Sequence, residues 1–160
     1  MTTIARALGA ILLLAGAAAV LPASDALAAG SSSGTSSQAD QRDLERGKQA
    51  IEAQDWERAA SHLERAAKSD PRNADVFNLL AYSYRHLGRI DDAFANYGRA
   101  LDLDPRHLGA HEYIGEAYLI VGDLVKAEQH LAALTEICGS CEETEELAEA
   151  IDNFKKGAAE

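Results

Sequence analysis

Basic residues are scarce in this 160-residue chain: 15 lysines and arginines stand against 26 aspartates and glutamates, a formal net charge of −11. That deficit argues against a nucleic-acid partner, which needs a basic footprint to release counterions from phosphates. It argues equally against adsorption to an anionic membrane surface. Proline is rarer still, with three in the whole chain, so few positions forbid a helix. No Gly-rich phosphate loop, G-x-S-x-G elbow or H-E-x-x-H occurs. The many carboxylates are therefore read as solvated charge, and neither an enzymatic activity nor a cofactor is expected. Cysteine is limited to Cys138 and Cys141, so none lies near the N-terminus to make a bacterial lipoprotein.

What is present favours helix. Ala, Leu, Glu, Arg and Lys are abundant, all good helix formers, and the apolar share of 47% is enough to bury a core. The length suits one domain plus accessory segments. Arg6 and the N-terminal amine precede an uncharged apolar stretch, Ala7 to Leu21, which is short for a membrane span of roughly 20 residues. Pro22 and the small-x-small site Ala26-Leu27-Ala28 follow. Residues 1–28 thus read as a secretory signal peptide cleaved after Ala28, with an uncleaved anchor as the alternative. The mature chain is expected to be periplasmic or secreted, with no membrane insertion after cleavage. Residues 29–39, AGSSSGTSSQA, offer almost nothing apolar to offset the entropy of ordering. They read as a flexible Ser/Gly linker.

From Asp40 a period appears. Asp70-Pro71-Arg72 and Asp104-Pro105-Arg106 are 34 residues apart. The same offset maps Gly47 onto Ala81 and Gly115, Ala50 onto Tyr84 and Tyr118, and Ala59 onto Ala93 and Ala127. It also maps Leu63 onto Tyr97 and Leu131, and Ala66 onto Ala100 and Leu134. Such a period marks a helical solenoid of two-helix repeats, here 40–73, 74–107 and 108–141. Small residues at Gly47, Ala81 and Gly115, and at Ala59, Ala93 and Ala127, let the A helix of each repeat lie close to its B helix. Gly88 and Gly122 end A helices in the left-handed turn that glycine accepts, where the first repeat carries Gln54-Asp55. Trp56, Ile90 and Leu124 follow and should pack inward. A last helix over 142–156 carries Leu147, Ala150, Ile151 and Phe154 at helical spacing. Ser140 and Glu143 form an S-x-x-E capping box before it, and its apolar stripe should cover the third repeat.

The run Phe77, Leu80-Ala81, Tyr84, Gly88, Ala93, Tyr97, Ala100 and Pro105 resembles the tetratricopeptide-repeat (TPR) consensus, whose repeat length is also 34. The likeness spans three repeats. It is weaker in the first, where Asp43 and Arg46 replace large apolar residues, and in the third, where Gly139 stands for the proline. The block from His111 to Tyr118, with the late cysteine pair and acidic helix, is also similar to small exported bacterial TPR proteins. The resemblance implies an all-α, right-handed solenoid of three helix pairs plus a C-terminal capping helix. It implies further that the A helices line a concave groove where a polypeptide binds.

Carried over by repeat position, that groove takes Gln41, Leu44, Lys48, Ile51 and Glu52 from the first repeat. The second supplies Asp75, Asn78, Tyr82, Arg85 and His86, and the third Gly109, Glu112, Glu116, Leu119 and Ile120. Asn78, Tyr82 and Arg85 share a helix face and suit a peptide backbone and a carboxylate. Glu112 and Glu116 suit a lysine or arginine. The carboxylate clamp of chaperone-binding relatives is not reproduced, because Lys48 stands at its first-repeat asparagine position. The expected partner-binding residues are Lys48, Asn78, Tyr82, Arg85, Glu112, Glu116 and Leu119, and the expected function is that of an exported adaptor.

Cys138-Gly139-Ser140-Cys141 has C-x-x-C spacing in an oxidising context and leaves three readings open: a structural disulfide, a redox-active dithiol and a metal site. Two thiols lack the second pair of a strong zinc motif. His107 and His111 are four apart, but the first falls in a loop and the second in a packing position, so no metal site is assigned. The rival to an adaptor is a periplasmic thiol-redox or metal-handling accessory protein using the cysteine pair. Self-association through end-to-end stacking is a third possibility.

Overall fold

The computed structural model describes residues 33–157, with side chains from Gln41 onward. The expected signal peptide lies outside the described residues. Seven helices follow in order: α1 (Ser33–Glu52), α2 (Trp56–Ser69), α3 (Ala74–His86), α4 (Ile90–Leu103), α5 (Leu108–Ile120), α6 (Leu124–Cys138) and α7 (Glu142–Gly157). No strand occurs among the described residues. The first six helices form three pairs, and α7 packs on both α5 and α6. None of the helices is long and apolar enough to cross a membrane.

The period in sequence becomes a period in packing. Ala59, Ala93 and Ala127 are each completely buried, as are Leu63 and Tyr97, whereas their third-repeat equivalent Leu131 is only half-buried and Leu134, equivalent to Ala66 and Ala100, is buried completely. A fully buried leucine contributes about 1.5–3 kcal/mol. Ala59, Leu63, Ala81, Tyr84, Ala93, Tyr97, Ile114 and Ala117 belong to one core running from α1 to α5. Ala127, Leu134, Leu147 and Ile151 form a second core under α7. A Cβ placed on Gly47 would stand 2.7 Å from Leu63 Cγ of its own pair. On Gly115 it would stand 2.6 Å from Leu147 Cδ2. The close approach at Gly115 is therefore to α7, not to its paired helix α6 as the repeat pattern implied.

Helix ends repeat as well. Gly88 and Gly122 have φ of 71° and 79°, and Gln54, one period earlier, is held at 56°. In all three turns the next N–H reaches back across the helix end: Asp55 to Ala50 O, Arg89 to Tyr84 O, and Asp123 to Tyr118 O, at 2.8–2.9 Å. Asp55, Asn73 and Asp123 side chains accept the orphan N–H groups of Arg58, Val76 and Lys126. His107 Nδ1 accepts from Ala110 N–H. Asn73, His107 and Cys141 are successive 34-residue equivalents, so Cys141 stands at the N-cap of α7. This displaces the capping box expected at Ser140: α7 begins at Glu142, and Thr144 and Glu145 N–H donate to Cys141 O.

The linker expected over 29–39 is corrected for its second half, because α1 begins at Ser33. Once the packed turns of α1 exist, each added residue contributes a hydrogen bond without a new nucleation cost, and no proline interrupts. Asp43, unusual for its repeat position, is explained by its partners. Its carboxylate accepts from His62 Nδ1 at 2.9 Å and from Arg65 Nε and Nη2 at 3.0–3.2 Å. Those bonds, Arg65 foremost, hold its pKa below the ordinary aspartate value.

Because a non-glycine residue in the left-handed region carries a cost that glycine avoids, Gln54→Gly is expected to stabilise the fold by about 0.5–1 kcal/mol. Paired urea melts of the two proteins check this; an unchanged or lowered midpoint would contradict the strain.

Candidate functional site

The 34-residue offset also organises one face. Leu44, Asn78, Glu112 and Glu146 are equivalents on α1, α3, α5 and α7, as are Lys48, Tyr82, Glu116 and Ala150. Helix α7 thus stands where the A helix of a fourth repeat would, and walls the groove as well as covering the third repeat. A cavity of about 460 Å³ opens between α3, α5 and α7, lined by Tyr82, Arg85, His86, Glu112, Tyr113 and Glu116 and by Glu146, Glu149, Ala150 and Asn153 of α7. The α7 residues and Tyr113 were missed in the sequence reading. Extending the same offset by one more period finds Glu146, Ala150 and Asn153; nothing in the period points to Tyr113 or Glu149.

Aromatic rings build the wall nearest α2. Trp56 stacks on His86, centroids 3.9 Å apart and planes within 9°. Tyr82 packs on His86 at 4.5 Å and on Tyr113 at 4.8 Å. Burial and the Arg85 charge lower the His86 pKa, so the stacked ring is neutral at pH 7. Arg85 Nη1 donates to Glu116 Oε2 at 2.5 Å, with the guanidinium 5.1 Å from the Tyr82 centroid and 5.7 Å from that of Tyr113. The Arg85 side chain is 11% exposed, and its Nε has no acceptor.

Glu112 is 3% exposed. Burial first, then a hydrogen bond from its acid proton to Glu146 and the charges of Glu146, Glu116 and Glu143, push its pKa up to about 9. At neutral pH it is a carboxylic acid. Asn78 is also buried, and its Oδ1 lacks a donor.

The candidate residues therefore separate. Tyr82, Arg85, Glu112 and Glu116 meet at the cavity. Asn78 lies beneath the groove floor, its Nδ2 3.2 Å from where a Gly109 Cβ would stand. Lys48 is exposed on α1 and lines no part of this cavity. Leu119 packs on the second core. Gln41 and Leu44 line a separate cavity of about 280 Å³ with Asp70 and Asn73.

The Cys138 and Cys141 sulfurs meet across the turn from α6 to α7, with Cα atoms 5.7 Å apart. The Thr144 hydroxyl lies 3.4 and 3.3 Å from the two sulfurs. Among the described residues, no group of three or more His, Cys, Asp or Glu is placed to hold a metal ion. His111 and His130 instead bond each other, Nδ1 to Nδ1 at 2.9 Å. His111 Nε2–H donates to Pro105 O, so its Nδ1 accepts from His130. Burial and the neighbouring His111 lower the His130 pKa to about 4.

Residues 44–97 and 87–140 match the family model described as tetratricopeptide repeat, more than half of the chain. The chain belongs to the tetratricopeptide-repeat family. The TPR domain of Arabidopsis OM64 superposes with a TM-score of 0.69 at 17% identity, covering 76% of this chain and 98% of that one. The second TPR domain of human RPAP3, solved in complex with the HSP70 peptide SGPTIEEVD, gives 0.67 at 19% identity, covering 75% and 98%. The Yersinia enterocolitica type III secretion chaperone SycD, in complex with a peptide of the translocator YopD, gives 0.63 at 20% identity, covering 80% and 95%. At these identities the likeness is one of fold.

The Glu112 environment sets a pH dependence for this TPR domain. Its folded pKa lies above the unfolded value, so its contribution is fully present below about pH 4.5 and is lost as pH rises toward 9. Glu112→Gln keeps a donor and removes the charge. It is expected to melt with the wild type near pH 4.5 and roughly 5 °C above it at pH 8. Melting curves across that range that stay superimposed would refute the buried acid.

Proposed function

We propose that this chain is an exported adaptor that docks an extended polypeptide segment in the groove walled by α1, α3, α5 and α7. The observation that carries the reading is the open, pre-formed cavity where equivalent positions of three successive groove helices converge. Rigid walls of helix keep the ordering cost of binding low, and side chains at repeated positions present acceptors, a guanidinium and ring faces to a peptide. RPAP3 and SycD, which share the fold, were each solved with a peptide. The export part rests on Arg6, the apolar run Ala7 to Leu21 and the site ending at Ala28.

A photo-cross-linking amino acid at exposed His86 or Glu149 is expected to trap a discrete protein partner from envelope extract. The same group at exposed Glu57 of α2, outside the cavity, is expected not to. Equal trapping at all three positions, or none, would remove the groove from the function.

The second reading, thiol-redox chemistry at Cys138 and Cys141, is favoured by the placement of Cys141 at the N-cap of α7, where the dipole stabilises a thiolate. The adaptor reading instead makes the bond a clasp that fixes α7 against α6. Replacing both cysteines by serine is then expected to lower stability by about 2 kcal/mol while leaving the cross-links intact. Chemical denaturation and the cross-linking pattern decide between them: loss of function without loss of the groove contact would favour redox chemistry.

A further inference from the structure

The cavity is unbalanced in charge. Glu112, Glu116, Glu146 and Glu149 line it, and the one lysine or arginine among its described lining residues, Arg85, is committed to Glu116. Glu112 is a neutral acid bonded to Glu146, which leaves Glu146 and Glu149 as exposed acceptors on one helix face at the mouth. Opposite them stand the rings of Tyr82 and Tyr113. The chain already shows what this combination holds. Arg85 presents its guanidinium to two tyrosine rings and one carboxylate, using cation–π and charge-assisted contacts together. A carboxylate entering the same space would meet like charge, and an apolar side chain would strip water from carboxylates without replacing it.

We propose that the cavity between α3, α5 and α7 receives a lysine or arginine side chain of the docked segment, so that the partner is a basic peptide. The inference rests on the groove reading above and adds the chemistry of its ligand. The incoming cation takes Glu146 and Glu149 as acceptors and the Tyr82 and Tyr113 faces as walls. The rest of the segment runs along the groove, and Arg85 stays with Glu116. Selectivity then comes from charge complementarity, which excludes acidic tails as well as admitting basic ones.

The test is selection from a phage-displayed library of random dodecapeptides, run in parallel on the wild-type chain and on Glu146→Gln/Glu149→Gln. Both glutamates are exposed, and melting curves verify that the variant folds. Wild-type selection is expected to enrich peptides with a lysine or arginine at one shared position, and the variant to lose that preference. The best synthetic peptide is expected to bind the variant about 10- to 100-fold more weakly, the worth of a charge-assisted bond. Changing its basic residue to glutamine is expected to weaken wild-type binding similarly and variant binding by no more than about twofold. Binders lacking a shared basic position, or a preference that survives in the variant, overturn this inference and leave the groove reading standing. No enrichment over bare support overturns both.

Discussion

A bare backbone or a single methyl at each helix contact is what lets this chain stack. Ala59, Ala93 and Ala127 have no exposed surface at all, and neither Gly47 nor Gly115 has room for a side chain. A two-helix repeat cannot bury its apolar faces alone, so stability comes from neighbours. The bulkier Leu63, Tyr97 and Leu147 then fill the spaces that close approach creates. At Gly115 that filler comes from α7. The last helix is therefore a structural continuation of the repeats, which is why it also continues their groove.

The groove inherits its chemistry from the same regularity. One repeat position reads Leu44, Asn78, Glu112, Glu146 along four helices, passing from apolar through amide to acid. Toward the α7 end the carboxyl groups come close enough that burial and mutual repulsion keep Glu112 protonated. Across from them the tyrosine and histidine rings, braced by Trp56, make a rigid apolar flank. Acceptors on one side and π faces on the other define a polar, directional space rather than a hydrophobic cleft.

Four of the five histidines, all but the cavity-lining His86, take structural parts. His107 caps α5 and ties its Nε2 to Asp75 at 3.0 Å. His62 joins Asp43, and His111 bonds His130, which stacks on Tyr118. Asp43 and His111 occupy the repeat position that Phe77 fills in the second repeat, and the histidine contacts satisfy the polar groups placed there. The low pKa of His130 follows, since burial beside the His111 ring disfavours its charged form. Stability linked to His130 is lost as pH falls from about 6.5 toward 4, opposite in sign to the effect of Glu112.

Periodicity, glycine placement and small-residue spacing determined the helix pairs, the left-handed turns at Gly88 and Gly122, and the family, because those features follow from local sterics repeated every 34 residues. They also brought Tyr82, Arg85, Glu112 and Glu116 to one face by helical geometry alone. Tertiary structure decided the rest. It sank Asn78 and Glu112 beneath the surface, committed Arg85 to Glu116, set Leu147 against Gly115 and drew Tyr113 and Glu149 into the cavity. Repeat position says which helix face a side chain occupies. How deeply it is buried, and which charge it meets there, depends on the distance between helices that are remote in sequence.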